Sequence, residues 1–127
     1  MKTLLVIGLG SGIGGMLRYL LMLTTNHVGL NSHIGTIVVN VLGCILLGFV
    51  AGMIDGGFHL NGHPRQFLIV GVCGGFTTFS TFVSDGFKLL HHGAVIQSLL
   101  YLCGSVALGV VAFVTTYYVT GIIQNKF

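Results

Sequence analysis

Residues 74–82 read GGFTTFSTF, two glycines followed by three phenylalanines interleaved with four hydroxyls. The stretch lies in the middle of a segment that otherwise reads as apolar helix. Glycine costs about 1 kcal/mol relative to alanine in a helix interior. Two glycines in succession, followed by Thr-Thr, predict a break from Gly74 through Thr78. At membrane depth a broken helix persists only where its freed backbone groups line a cavity or bind an ion. Freed carbonyls can hold a monovalent cation, and freed N–H groups can meet an anion. The plain alternative is a kink relieved by threonine hydroxyls bonding back to the helix.

The composition says which solvent applies. Of 127 residues, 54% are hydrophobic and 6% charged, where a soluble domain carries about 25% charged. So few charges cannot cover a water-facing surface, and the chain reads as an all-α integral membrane protein. Crossing a bilayer takes about 20 residues, and segments 4–24, 34–54, 66–87 and 94–123 are long and apolar enough. The whole of 1–127 is one four-helix transmembrane domain, with the third helix broken near its centre. The over-long fourth segment tilts or emerges at one end. The links are short, so neighbouring helices run antiparallel. The opening MKTLLVIGLGSGIGG is a retained span, because its apolar run outlasts a signal peptide and no A-x-A site follows.

Both termini then lie on one side, with Lys2, Arg65 and Lys126. Lys88 lies on the other, and Arg18 reaches toward it from inside span 1. A three-to-two split is a weak orientation signal, and such a chain inserts either way round. The net charge of +3 comes without a Lys/Arg cluster, so nucleic acid is not a partner. Four tightly packed helices leave little room for a pore, and transport at this length implies an oligomer, most often a dimer.

Gly10, Gly12 and Gly15 formally match G-x-G-x-x-G, but no strand precedes them and the next acid is Asp55. The pairs Gly8/Gly12 and Gly10/Gly14 instead make small-x-x-x-small faces on which helix backbones touch in lipid. Gly35, Gly43, Gly48 and Gly52 in span 2, with Gly104 and Gly109 in span 4, extend the pattern. Cys44, Cys73 and Cys103 fall in apolar stretches without ligand spacing and read as small packing residues.

Polar groups inside a membrane are expensive and raise a functional question. Here they are Arg18, Asn40, Thr77, Thr78, Ser80, Thr81, Ser84, Tyr101 and Ser105. The spans hold no Glu, Asp85 sits near the end of span 3, and the six histidines read as link residues. Without a mid-membrane titratable group neither a proton-coupled pump nor a hydrolase is expected. Asn40 reads as an interhelical hydrogen bond or as a donor lining a polar path. Arg18 reads as an interfacial snorkel or as a charge attracting anions at a vestibule. Phe79 and Phe82, three apart, share a helix face. They read as ordinary packing, or as ring edges along which a small anion moves without a deep charge trap.

G-x-x-x-R-Y at 14–19, GTIVVNVLG at 35–43 and above all GVCGGFTTFSTF at 71–82 carry a family resemblance. The chain resembles the Fluc fluoride channels, also called CrcB proteins. The resemblance covers the whole chain. It implies a dual-topology, antiparallel homodimer in the inner (plasma) membrane that exports fluoride passively through two pores. By the same resemblance Phe79 and Phe82 are the pore phenylalanines and Asn40 the pore asparagine. Ser80, Thr81, Tyr101 and Ser105 form a polar track, and Arg18 stands near the vestibule. A structural sodium ion at the dimer centre would be held by the carbonyls of Gly74 and Thr77. Gly109 stands where some members carry a further hydroxyl. Two readings compete: a small multidrug-type exporter, which needs a membrane glutamate, and a non-transporting scaffold, which leaves Asn40 and the break unexplained.

Overall fold

Lipid offers no partner for a backbone group, so an apolar run must satisfy its own hydrogen bonds, and a helix does so within one segment. The computed structural model describes residues 1–124; Lys126, counted above among the positive charges, lies outside them. Helices α1 (Lys2–His27) and α2 (Ser32–Asp55) form the first two spans and α6 (Val95–Gln124) the last. The third span is composite: α3 (His63–Gln66), a π-helical stretch Phe67–Cys73, α4 (Gly74–Phe76) and α5 (Phe79–His91). All four spans are long and apolar enough to cross a membrane. Each matches its expected position to within a few residues. The 30 residues of α6 amount to about 45 Å of helix, more than the hydrocarbon thickness of about 30 Å.

One expectation needs correction. His33 is not a link residue but the second residue of α2, and His27, His63 and His91 stand at helix ends. The helices run past their apolar runs because a polar residue still closes its backbone bonds.

The break is present, confined to the last two of the five residues expected to form it. Gly74 and Gly75 remain helical; the extended residues are Thr77 (φ −77°, ψ 158°) and Thr78 (φ −144°, ψ 114°). The glycines serve close approach instead. A Cβ on Gly75 would stand 2.5 Å from Ser11 O and 2.8 Å from Ser11 Cα, on α1. From the α1 side, a Cβ on Gly10 would stand 2.6 Å from Phe67 O. On Gly14 it would strike Val72 O and come within 2.8 Å of Phe76 N. Gly8, Gly12 and Gly15 meet nothing within 4 Å. The two expected small-residue faces of α1 therefore part company: Gly10/Gly14 packs on the third span, and Gly8/Gly12 faces outward.

The same device joins α2 to α6. Added Cβ atoms on Gly48 and Gly52 would each stand 2.6 Å from a carbonyl, of Phe113 and Tyr117. The chain therefore has two ends. Asp55 accepts a 2.7 Å bond from Tyr117 OH at one; Thr36 bonds Asp85, and Ser98 bonds Gly86 O, at the other. Leu4, Leu9, Ile96, Leu100 and Val111 are all more than half exposed, as lipid-facing side chains should be.

Gly14→Ala should destabilise the protein by about 1–3 kcal/mol, the usual cost of overpacking, while Gly15→Ala stays near neutral. Thermal unfolding of both variants in the same detergent checks this. Equal effects would show that α1 does not rest on the third span through Gly14.

Candidate functional site

Two extended residues at membrane depth leave peptide groups that need other partners. The Thr78 N–H, which would meet Gly74 O in an unbroken helix, donates instead to Asn40 Oδ1 at 2.8 Å. Asn40 Nδ2 returns a bond to Thr78 O at 3.1 Å. One α2 side chain thus grips both faces of a break residue. Asn40 is an interhelical bond, as one reading had it. Its second N–H remains beyond the bond to Thr78, since an amide has two donors.

Thr77 N–H and Thr77 Oγ1 both donate to Cys73 O, each at 3.1 Å. The first is an ordinary helical bond, and the second is the back-bonding expected of a threonine at a helix end. Arg18 Nη1 donates to Thr77 O at 3.0 Å. Thr78 Oγ1 accepts from Thr81 N–H at 3.3 Å and so caps α5. It also donates to Thr81 Oγ1 at 2.9 Å and lies 3.5 Å from Ser80 Oγ.

From this cap α5 projects its rings. Phe79 and Phe82 have centroids 5.8 Å apart, and Phe82 and Tyr101 5.5 Å, with interplanar angles of 38° and 35°. The three make a tilted ladder running away from the break. Phe82 and Tyr101 are buried, but Phe79 is 77% exposed. Ser105 Oγ donates to Tyr101 O, its own helix backbone, at 2.5 Å. Tyr101 OH is buried and makes no hydrogen bond to the described residues.

Two grooves meet at Asn40. One, of about 340 Å³, runs along the break past Gly43, Cys44, Gly74, Thr77, Thr78 and Phe79. The other, of about 230 Å³, is lined by Cys44, Phe79, Phe82, Ser105 and Gly109. The structure therefore gathers Asn40, Phe79, Phe82 and Ser105 along one groove and places Gly74 and Thr77 along the adjoining one. Ser80 and Thr81 line neither; they belong to the hydroxyl cluster at the α5 cap. Tyr101 lies behind Phe82.

Several residues escaped the sequence reading. Cys44 lines both grooves, and its Sγ stands 3.3 Å from where a Cβ on Gly109 would be. It therefore occupies the space beside the position that lacks a hydroxyl. Asp85 is 1% exposed, accepts from Thr36 Oγ1 at 2.7 Å and lies 3.7 Å from Lys88 Nζ. His33 packs edge-on against Tyr101, with centroids 6.1 Å apart. Spacing held the clue to Asp85: three residues after Phe82, it shares the buried face of α5. Nothing local marks Thr36 or His33.

Comparison with known proteins bears on what this arrangement does. The family described as "CrcB-like protein, Camphor Resistance (CrcB)" matches residues 5–117. A protein of Phocaeicola vulgatus named "Fluoride-specific ion channel FluC" is 46% identical over 87% of this chain and 91% of its own length. Proteins of the same name from Flavobacterium psychrophilum (39% identical, 88% of this chain and 91% of theirs) and Aquifex aeolicus (36%, 87% and 90%) match as fully.

Asn40→Leu should remove both bonds to Thr78 and cost about 1–3 kcal/mol for each peptide group left unpaired. Unfolding in detergent micelles measures this. A change below about 0.5 kcal/mol, the range of an inconsequential surface substitution, would show that Thr78 does not depend on α2.

Proposed function

The chain belongs to the CrcB family, and from that premise we propose that it is a fluoride-selective channel, a passive route for fluoride out of the cytoplasm. It is a multi-pass membrane protein of the plasma membrane, and its family places it among channels rather than enzymes. One observation carries the path: the Phe79–Phe82–Tyr101 ladder starts beside Asn40 at the break, with grooves on both sides of that asparagine.

Fluoride is small and strongly hydrated, so a path must replace its water with donors yet release it again. The free N–H of Asn40 can supply a neutral donor. The edges of Phe79 and Phe82 supply weak positive potential without a charge. Ser105 Oγ has its proton committed to Tyr101 O, so this hydroxyl acts through dipole and size unless it turns. Ser80 and Thr81 serve the path by fixing the start of α5, from which both rings project.

A homodimer completes the reading. In one protomer Phe79 is 77% exposed, and the break groove is open on that side. A second, antiparallel copy covering this face would close two equivalent paths, one along each ring ladder. The near-even spread of positive charge agrees with insertion both ways round.

The carbonyls of the break suit the structural sodium that the family resemblance implies. Gly74 O is released because its helical donor, Thr78 N–H, turns to Asn40. Thr77 lines the same groove, though its carbonyl already accepts from Arg18. Gly74 and Thr77 from two copies would supply four neutral oxygens. Bound there, the ion would contribute positive charge and a link between subunits. The exporter alternative lacks its glutamate, and the one buried carboxylate among the described residues, Asp85, is tied by Thr36 and Lys88.

Purified protein in liposomes should release fluoride and retain chloride, as followed by ion-selective electrodes. Comparable chloride release would defeat the selectivity. Phe82→Ile should reduce fluoride efflux at least tenfold with the oligomer intact; unchanged efflux would return Phe82 to packing.

A further inference from the structure

Arg18 lies four residues after Gly14 on α1 and shares its face. That is the face on which α1 and the third span meet backbone to backbone, with Gly75 C within 3.1 Å of a Cβ on Gly14. At such a separation a side chain one turn further along reaches the break. Its Nη1 meets Thr77 O at 3.0 Å.

This carbonyl has no helical partner. In a continuous helix Thr77 O would accept from Thr81 N–H, but Thr78 Oγ1 takes that donor. Arg18 is also a charge inside a span, where charges are retained only when they meet a partner. Neither described carboxylate is that partner. Asp85 is held by Thr36 and Lys88, and Asp55 by Tyr117 at one end of the molecule. The guanidinium and the orphan carbonyl answer each other's need.

We propose that Arg18 is the positioning residue of the break, a resident cation that holds Thr77 O from the α1 side as Asn40 holds Thr78 from the α2 side. Its charge acts on the backbone rather than on the passing anion. A second consequence rests on the sodium assignment under Proposed function. Thr77 O has two lone pairs, one of which the guanidinium takes, so Arg18 and the central ion share an oxygen. Without Arg18 the break depends more heavily on that ion.

The test uses the full chain with Arg18→Gln and Arg18→Lys. Hydrogen–deuterium exchange is read by mass spectrometry over residues 74–82, with residues 113–124 as the control. A hydrogen bond from a charged donor is worth about tenfold or more in an equilibrium. R18Q should therefore speed exchange over 74–82 about tenfold and leave the control unchanged. R18K should fall between, because an ammonium is a compact point donor without the planar fork. If R18Q does not fold, R18K against wild type makes the same comparison.

Fluoride efflux adds a readout that simple destabilisation would not produce. R18Q should lower the maximal rate while the half-saturating fluoride concentration stays put. Exchange over 74–82 that is unchanged in R18Q would overturn the proposal. So would a flux defect that is wholly a raised half-saturation and is fully restored by R18K; Arg18 would then be an anion-attracting charge. Replacing N-methylglucamine with sodium should slow the R18Q exchange more than that of wild type. Fast exchange that ignores sodium would support the positioning role and count against Thr77 O as a sodium ligand.

Discussion

The N–H and the C=O of Thr78 are both held by one asparagine, Asn40, and the rest of the architecture depends on that grip. An unpaired peptide group in hydrocarbon costs several kcal/mol. The third span gives up helical bonds at Thr77 and Thr78, and could not do so in lipid unless neighbours replaced them. Asn40 supplies an acceptor and a donor for Thr78 and Arg18 donates to Thr77 O, while the Thr77 N–H keeps its helical bond to Cys73 O. The break is therefore a defined geometry with named partners. It turns α5 so that Phe79 and Phe82 lie beside Asn40.

Those partners reach the break only because the helices touch. Arg18 and Asn40 are on α1 and α2, and each comes within range through missing side chains. Gly10, Gly14 and Gly75 bring α1 against the third span, and Gly43 leaves room for Thr77 against α2. In lipid no hydrophobic drive pulls helices together, so packing and polar contacts must do it. The glycines and the polar side chains are thus one device. The first set the distance, and the second use it.

The path proposed along the break and the ladder carries little charge. Its donors are an amide and ring edges, and the full charges nearby are engaged elsewhere. Asp85 accepts from Thr36 and lies 3.7 Å from Lys88 Nζ, and Arg18 donates to a carbonyl. A small anion that meets only weak partners can leave as well as enter. The exposed flank of Phe79 leaves the path half-walled in one protomer, which is why the proposed function requires a second copy.

Much of this was legible in the chain itself. Hydropathy and length marked four spans within a few residues of α1, α2, the composite third span and α6, because in lipid the backbone has almost no alternative to helix. The glycine pair and threonines announced a break, and Asn40, Arg18, Phe79 and Phe82 stood out because polar or patterned residues are costly or conspicuous there. Only the tertiary structure decided that the break lies at Thr77–Thr78 rather than at the glycines, since propensity cannot tell a glycine that breaks a helix from one that admits a neighbour. Only it placed Arg18 on Thr77 O, Asp85 with Thr36, and Cys44 beside Gly109. Each of these joins residues far apart in sequence, and which helices share a face is settled by packing, on which local periodicity is silent.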